Sequence, residues 1–305
     1  MKAFDYLMTL DKKKSGEISQ TKLDLTGASA SYGRKVEILK ENIFGVDLDP
    51  KAVEIAQLNL LLKTAEKKHR LPILQENIKV GNSLIDDSAV AGDRAFKWED
   101  EFKEIMKDGG FDVVIGNPPY VEARQIEQKF VDFYRKFYKT AGNRVNTFPL
   151  FIERSINLLK EKGFFGMIIH KNSIRSNDYE KLRKFVLDKC KIVKIIPLGA
   201  GVFEGVTGEM VILIFQKYQD QNYRKKNIVL HGNKETVIKN KAYNKLSQKI
   251  FYEIPGNRFN VYLDEDKIEI LEKIKSNTVE LKEFADTKQG IIVGDEKKYI
   301  KNSKE

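Results

Sequence analysis

Cysteine, histidine and long apolar runs are scarce in this 305-residue sequence, and each scarcity excludes a class of protein. The single cysteine, Cys190, excludes an intramolecular disulfide framework and a zinc site built from several cysteines of this chain. The three histidines are scattered, so we expect no metal. No apolar run reaches the roughly 18 residues of a membrane-spanning helix, and the amino terminus does not resemble a signal peptide. We therefore expect a protein of the reducing cytoplasm with no membrane partner.

The composition is that of a globular protein with a basic surface. Hydrophobic residues make up 41% of the chain and charged residues 32%, which excludes a disordered or collagen-like protein. The net charge is +10, because 54 Lys and Arg outnumber 44 Asp and Glu. A positive charge favours a polyanionic partner such as nucleic acid. Charge alone, however, is equally compatible with a composition that is merely rich in lysine.

Short apolar segments alternate with segments of helical periodicity. The apolar segments predict strands at 43–47, 78–80, 111–116, 163–169, 192–198 and 210–215. The periodic segments predict helices at 1–10, 50–62, 126–139, 147–160 and 178–187. Short apolar runs between turns are typical of strands buried on both faces. The alternation predicts an α/β fold, with a mostly parallel sheet and helices on both of its faces.

Two regions depart from this alternation. Residues 11–40 are rich in Lys, Ser and Gly, and Gly27 and Gly33 punctuate them, which predicts a loop with one short helix. From residue 218 onward the sequence is rich in Lys and Asn, which predicts connecting loops. One helix is predicted at 263–275 and a strand-like segment at 290–294. We therefore divide the chain into a first domain at 1–217 and, at 218–305, a linker with the start of a second domain.

Asp47 ends the first predicted strand, at a position where ligands bind in open parallel sheets. A carboxylate there can accept hydrogen bonds from both hydroxyls of a ribose, which would indicate a cofactor that contains a nucleoside. A carboxylate beside the amino terminus of the following helix is an equally good explanation of the same residue.

Asn117-Pro118-Pro119-Tyr120 directly follows the strand at 111–116 and is the most unusual motif of the chain. The two prolines stiffen the loop and remove two backbone donors. The Pro118 carbonyl and the Asn117 side chain then form a pair of acceptors, and Tyr120 offers a face on which a planar base can stack. Two acceptors and a stacking face suit an aromatic amine, which they would hold in an attacking geometry without a general base. The alternative is that the tetrapeptide is only a rigid turn.

The order of these motifs resembles the gamma-class adenine-N6 DNA methyltransferases of the TaqI-like kind, especially those of bifunctional restriction-modification enzymes. The segments that carry the resemblance are Ile43–Pro50 with Ala52–Ala56, Gly81–Leu84, Ile115–Tyr120, Phe151–Arg154 with Leu158–Lys160, and Leu198–Gly199 with Val202–Phe203. The resemblance implies a Rossmann-like fold that depends on S-adenosylmethionine. It also implies methyl transfer from this cofactor to an adenine of double-stranded DNA.

Carried over residue by residue, the resemblance implies three cofactor-binding positions. Asp47 would bind the ribose of S-adenosylmethionine, Asn82 would lie near its adenine, and Phe151 would pack against that adenine. Many relatives have aspartate at the position of Asn82. The amide oxygen can still accept from the cofactor's amino group, so we expect weaker binding rather than none.

The resemblance also implies the residues that act on the substrate. Asn117 and Pro118 would hold the amino group of an adenine that is flipped out of the duplex. Tyr120 would stack on one face of this base, and Pro119 completes the motif. Phe203 would close the other face, although plain core packing also explains a phenylalanine there. Arg175, Arg183 and Lys184 are candidate contacts to the DNA backbone.

The chain departs from the family pattern at both ends. It has no strand with a glycine-rich loop ahead of residues 2–8, which resemble the later part of the family's first helix. Residues 281–300 resemble only the opening of a target-recognition domain. We therefore expect a sheet without its first strand and an isolated chain that binds the cofactor poorly and methylates DNA little or not at all. A separately encoded amino-terminal segment is one partner that would complete it.

Other hypotheses are open at this point. A methyltransferase that acts on protein glutamine or on RNA would carry the same tetrapeptide after the same strand. The long helical segment at 126–160 argues against both. A non-catalytic remnant, or a subunit completed by an upstream polypeptide, belongs to a different class of hypothesis.

Overall fold

The computed structural model describes residues 2–14, 27–66, 69–142, 145–203, 208–263, 265–279 and 281–286. Its helices are α1 (Lys2–Lys14), α2 (Gly27–Asn42), α3 (Pro50–Thr64), α4 (Ser88–Ala91), α5 (Trp98–Glu101), α6 (Lys103–Lys107), α7 (Gln128–Phe137), α8 (Thr147–Leu158), α9 (Glu180–Lys189), α10 (Gln221–Lys225), α11 (Lys234–Asn240), α12 (Ile250–Glu253) and α13 (Glu265–Asn277). Its strands are β1 (Gly45–Asp47), β2 (Ile78–Val80), β3 (Phe111–Gly116), β4 (Leu159–His170), β5 (Cys190–Gly199), β6 (Met210–Lys217), β7 (Ile228–His231) and β8 (Asn244–Ser247). In these ranges, no helix is long and apolar enough to cross a membrane.

The strands form two hydrogen-bonded sheets. β1 and β2 pair in parallel, and a six-stranded sheet has the order β3-β4-β6-β5-β7-β8. In the larger sheet β3 pairs in parallel with β4, and β5 with β7. β6 is antiparallel to both β4 and β5, and β8 is antiparallel to β7. The α/β class that the sequence predicts is confirmed, and the sheet is mixed because β6 and β8 reverse direction.

The strand directions bring the predicted site loops to one edge of the larger sheet. Because β6 is antiparallel to both of its neighbours, β4 and β5 run in the same direction, as β3 does. The carboxyl ends of β3, β4 and β5 therefore lie on one edge, which is where ligands bind in open α/β sheets.

The centre of the larger sheet is an apolar core. Phe165 of β4 and Phe215 of β6 are both buried and stack with their ring centroids 5.2 Å apart. Cys190, the first residue of β5, is buried as well, and burial raises the pKa of its thiol to about 12. A thiol with this pKa stays protonated and unreactive at neutral pH. Cys190 is thus a core residue.

β1 and β3 begin next to each other, but no backbone ladder joins them in the part of the chain that the structure describes. Phe44 directly precedes β1, and Phe111 is the first residue of β3. The centroids of their rings are 6.0 Å apart, and Phe102 contacts both rings. Side chains therefore hold the amino ends of these strands together. We call the interruption between the facing edges of β1 and β3 the β1/β3 gap.

The prediction of a loop over residues 11–40 is wrong where the structure describes them. α1 continues to Lys14, and α2 spans 16 residues despite Gly27 and Gly33. Ile38 and Leu39 of α2 are fully buried in a cluster with residues of α3. Tertiary packing of an apolar face stabilises a helix whose own propensity is low.

The prediction of mere connections from residue 218 is also incomplete. β7 and β8 extend the larger sheet over 228–247. Each is only four residues long, and β8 is also polar, so neither stands out in the sequence. The chain divides into two compact units, Met1–Asn260 and Val261–Glu305. In the second unit α13 confirms the predicted helix, whereas the predicted strand at 290–294 lies outside the described residues. The functional division after residue 217 stays a prediction.

Candidate active site

Asp47 lies at the carboxyl end of β1 with an exposed side chain. One carboxylate oxygen, Oδ1, accepts a hydrogen bond from the backbone N–H of Asp49 at 2.9 Å. Asp49 in turn caps α3 by accepting from the N–H of Lys51. This turn fixes the direction of the Asp47 carboxylate and leaves it open to a ligand that donates hydrogen bonds.

Asn82 follows β2 and is fixed by three hydrogen bonds. Its N–H donates to the Arg94 carbonyl, its own carbonyl accepts from Ile85, and its side-chain Oδ1 accepts from the Leu84 N–H at 3.0 Å. The preceding Gly81 has no room for a side chain, because an added Cβ would lie 2.3 Å from the Phe96 ring. The backbone therefore approaches residues 94–96 closely, and this approach sets the position of Asn82.

Phe151 lies on α8 and packs against a buried cluster that includes Leu84 and Ile85. The structure thus brings the loop of Asn82 and the ring of Phe151 to the same cluster. Tyr138 and Arg154 fix this loop further. The Tyr138 hydroxyl donates to the Leu84 carbonyl at 2.6 Å, and Arg154 Nε donates to the Tyr138 oxygen at 3.0 Å.

The Asn117–Tyr120 loop leaves the carboxyl end of β3, as the sequence predicts. The Thr147 hydroxyl at the start of α8 donates to the Pro119 carbonyl at 2.5 Å and accepts from the Val121 N–H at 3.0 Å. The Thr147 N–H donates to the Val121 carbonyl. No group in the described ranges donates to the Pro118 carbonyl, and the Asn117 side chain is exposed. Thr147 therefore occupies one proline carbonyl and leaves the other as an acceptor.

Tyr120 is held at both ends of its side chain. Its hydroxyl donates to the Ile168 carbonyl of β4 at 3.0 Å, and its ring lies against Phe148 with 5.6 Å between centroids. Although 39% of Tyr120 is exposed, partial burial raises its pKa to about 12. The phenol therefore stays neutral at neutral pH, and the exposed part of the ring is available to an aromatic ligand.

Thr147→Val is expected to destabilise the protein by about 1–3 kcal/mol, because it leaves the Pro119 carbonyl and the Val121 N–H without their hydroxyl partner. Thr147→Ser keeps the hydroxyl and is the matched control. Urea unfolding followed by circular dichroism measures both. Equal stability of the valine and serine variants would contradict a role of this hydroxyl in holding the loop.

Phe203, the last of the predicted site residues, follows the carboxyl end of β5, on the same edge as the Asn117–Tyr120 loop, and is 39% exposed. Residues 204–207 lie outside the described ranges. Its assignment to the substrate face stays a prediction. Over the ranges that the structure describes, no group of three or more His, Cys, Asp or Glu side chains could hold a metal ion.

Sequence reasoning missed the residues that position this site. Thr147 follows Asn146, whose side chain caps α8, and an Asn-Thr pair before a helical pattern is a signal for a helix start. No sequence pattern predicts the roles of Tyr138 and Arg154, because their contacts to Leu84 depend on tertiary structure alone.

All of the candidate site residues lie within a part of the chain that matches a known protein family. Residues 41–203 match the model of the Eco57I restriction-modification methylase family. This range includes Asp47, Asn82, the Asn117–Tyr120 loop, Phe151 and Phe203.

Individual relatives agree with this match. The chain is 35% identical over 235 residues to the type II restriction enzyme and methyltransferase RM.Eco57I of Escherichia coli, an alignment that covers 72% of this chain and 22% of the relative. It is 37% identical over 101 residues to the type II methyltransferase M.BstVI of Geobacillus stearothermophilus, covering 33% and 18%. The chain thus spans about a fifth of the length of each.

A solved structure matches the fold over most of the chain. This is a nuclease-deletion mutant of the Type ISP restriction-modification enzyme LlaGI in complex with a DNA substrate mimic. The TM-score is 0.57 at 16% identity, and the match covers 87% of this chain and 24% of that one. The Rossmann-like methyltransferase fold that the sequence predicts is confirmed.

Proposed function

Because this chain belongs to the Eco57I restriction-modification methylase family, we propose that it takes part in methyl transfer from S-adenosylmethionine to N6 of adenine in double-stranded DNA. One observation carries the proposal. Thr147 binds the Pro119 carbonyl, so the Pro118 carbonyl and the exposed Asn117 side chain remain as two acceptors beside the ring of Tyr120.

This arrangement suits the amino group of an adenine that has left the base stack. Asn117 Oδ1 and the Pro118 carbonyl each accept one N–H of that group, while Tyr120 stacks on the ring, a contact worth about 1–3 kcal/mol. The two acceptors draw the nitrogen lone pair out of conjugation and toward the methyl carbon. When S-adenosylmethionine is bound, it would supply the methyl group: the new N–C bond would form as the carbon–sulfur bond breaks, sulfur would keep that electron pair, and one N6 proton would leave to water.

The cofactor proposal rests on three residues whose chemistry fits a nucleoside. S-adenosylmethionine supplies the methyl group when bound. Asp47 presents an exposed carboxylate for the ribose hydroxyls, and Phe151 and the loop of Asn82 meet at one apolar cluster suited to adenine. Because Asn82 Oδ1 already accepts from Leu84, its amide makes a weaker acceptor for the adenine amine.

Asp47→Ala is expected to weaken binding of S-adenosylmethionine about 10- to 100-fold, because charge-assisted hydrogen bonds to the ribose are lost. Calorimetry on the purified chain measures this, at protein concentrations high enough for a weak complex. Glu54→Gln removes an exposed carboxylate from the following helix and is the matched control. Equal affinity of the two variants would contradict the assignment of Asp47.

The substrate class is tested by supplying radiolabelled S-adenosylmethionine with duplex DNA, RNA or glutamine peptides. We expect whatever label is transferred to appear only in duplex DNA, at adenine. The family match favours no protein-glutamine or RNA enzyme. Label in RNA or peptide would overturn the proposal for DNA.

The proposal extends to location and partners. We propose a cytoplasmic protein whose substrate partner is double-stranded DNA, in keeping with its net charge of +10. We also propose that a segment outside the described residues completes the site, because the β1/β3 gap lies between the strands that carry Asp47 and Asn117.

A further inference from the structure

Two segments that are far apart in the sequence lie side by side beyond the carboxyl end of β4. One directly follows β4 and includes Arg175, and the other, at 255–259, includes Arg258. The Phe259 N–H donates to the Ile174 carbonyl at 2.9 Å. Arg258 Nε donates to the Arg175 carbonyl at 3.0 Å, so two arginines that are 83 residues apart lie next to each other.

Both arginines are exposed, and hydrogen bonds hold each guanidinium group while leaving donors unused. Arg175 Nε donates to the Asn172 side chain at 3.1 Å, and Arg258 Nη2 donates to the Asn177 side chain at 2.8 Å. A guanidinium group has five N–H donors. Within the described ranges, neither terminal nitrogen of Arg175 and not Nη1 of Arg258 donates to an acceptor. These N–H groups are available to a ligand.

Arg183 of α9 adds a third positive charge, buried between the same two segments. It donates to the carbonyls of Ser176 and Gly256, at 2.7 and 2.9 Å. Burial and the nearby charge of Arg258 lower the pKa of Arg183. Like charges that are held together repel one another, so the cluster is stabilised when an anion binds.

The carboxylates near this cluster do not neutralise it. Glu209 forms an ion pair with Lys171 at 3.0 Å, and Asp178 accepts from a serine hydroxyl of its own turn at 3.4 Å. Glu180 only partly offsets the lowered pKa of Arg183. Across the part of the chain that the structure describes, no Asp or Glu forms an ion pair with either exposed arginine. Their charge therefore favours an anionic ligand.

A row of aromatic rings connects this cluster to the proposed adenine site. The Tyr120 ring lies against Phe148, with 5.6 Å between centroids, and Phe148 lies against Tyr179 at 4.9 Å. Tyr179 is close in sequence to Asn177, which holds Arg258. One strand of duplex DNA carries a phosphate about every 3.4 Å of the helix axis. Two ring contacts therefore correspond to only a few nucleotides.

We propose that Arg175 and Arg258 together bind one phosphodiester of the DNA, within a few nucleotides of the target adenine. The planar guanidinium group matches the oxygens of a phosphate, to which it donates two parallel hydrogen bonds. Such a contact fixes the position of the strand without reading its sequence. The inference rests on the proposed function for its DNA partner, and it adds the residues that hold the backbone beside the base.

The salt dependence of DNA binding gives the first test. Fluorescence anisotropy of a labelled duplex with the full chain measures Kd over a series of salt concentrations. Arg175→Ala combined with Arg258→Ala is expected to weaken binding about ten-fold, whatever the sequence of the duplex. The slope of log Kd against log salt should fall by about 1, the value for one phosphate. An unchanged slope, or a fall of about 2 as for two separate phosphates, would overturn the proposal.

Lys189→Ala combined with Lys226→Ala is the matched control. Both lysines are exposed and precede β5 and β7, whose amino ends lie on the opposite edge of the sheet. We expect this variant to keep the wild-type affinity and slope. Equal losses in the two double variants would show that only net charge matters and would overturn the proposal.

A third variant separates charge from geometry. Arg175→Lys combined with Arg258→Lys keeps both charges, so it should keep the salt slope but not the full affinity, because an ammonium group lacks the planar pair of donors. Wild-type affinity in this variant would contradict binding through the guanidinium groups.

A scan with neutral phosphates tests the position of the contact. The duplex has one adenine opposite an abasic site, which lowers the cost of flipping that base, and a methylphosphonate replaces one phosphate at a time. We expect the wild-type chain to lose most affinity at one phosphate within a few nucleotides of the adenine. The double alanine variant should lose none there. An even loss at all positions, or the same loss in both proteins, would overturn the proposal.

Inorganic phosphate distinguishes a DNA contact from a general anion site. At constant ionic strength, millimolar phosphate should compete with the duplex no better than chloride does. Competition by phosphate in the wild-type chain alone, or no binding of duplex even at low salt, would overturn the assignment to DNA. None of these readouts requires the cofactor. A chain that binds DNA in this way but transfers no methyl group would count against the proposed function alone.

Discussion

In a protein whose active site is complete, Asn117→Ala is expected to lower the rate of methyl transfer to adenine by about 10²- to 10³-fold, because it removes one of the two acceptors on the amino group. The loss should appear in the single-turnover rate more than in DNA affinity, since the acceptor acts on the lone pair as it attacks. Rapid-quench assays with labelled S-adenosylmethionine measure this rate, and filter binding measures affinity.

Asn117→Asp is the matched variant for this prediction. Aspartate keeps an acceptor oxygen at the same place, so we expect a rate between those of wild type and Asn117→Ala. The Asn117 side chain is exposed, and neither variant should change the unfolding temperature. A wild-type rate in the alanine variant would exclude the proposed role of the loop, whichever segment completes the sheet.

The second large effect is expected on stability, from substitution of Arg183, which is 0% exposed. Its guanidinium donates to the carbonyls of Ser173 and Ser176, in the segment after β4, and to that of Gly256, at distances from 2.7 to 3.0 Å. Burial, together with the nearby positive charge of Arg258, lowers the pKa of Arg183 to about 10. The side chain thus stays charged at neutral pH. Its hydrogen bonds connect the segment after β4 to Gly256, which is distant in the sequence.

Arg183→Met is expected to lower the free energy of unfolding by about 3 kcal/mol, because the buried Ser173 carbonyl and the part-buried carbonyls of Ser176 and Gly256 lose a charged donor. Lys184→Met changes the exposed neighbour on the same helix and should stay within about 0.5 kcal/mol of wild type. Chemical unfolding at pH 7 measures both. Similar stability of the two variants would show that the carbonyls find other partners.

The same residue shows where sequence reasoning fails. The place of Arg183, in the helix after the predicted strand at 163–169, predicts contact with the DNA backbone. The structure buries it, so that prediction is wrong. Its carbonyl partner Gly256 is 73 residues away in the sequence, and no local pattern predicts such a contact.

Other features were determined by the sequence itself. Short apolar runs followed by Asp47 and by Asn117 identified β1, β3 and their carboxyl ends, because a continuous apolar run that ends at polar residues is typical of a strand and its following loop. The structure nevertheless leaves much of β3 exposed, so the expected burial on both faces is not found there. The tetrapeptide identified the candidate acceptors, because two consecutive prolines restrict the backbone whatever surrounds them. The order of motifs identified the family, which the match over residues 41–203 confirms.

Tertiary structure alone decided how these pieces are held. Thr147 selects which proline carbonyl remains an acceptor, and Tyr138 fixes the loop of Asn82 through a carbonyl 54 residues away. The pairing of β6 between β4 and β5 is likewise absent from any local pattern. The physical reason is the same in each case. Hydrophobic periodicity records which residues are buried, whereas hydrogen bonds between distant segments depend on which backbone groups the folded chain leaves without a local partner.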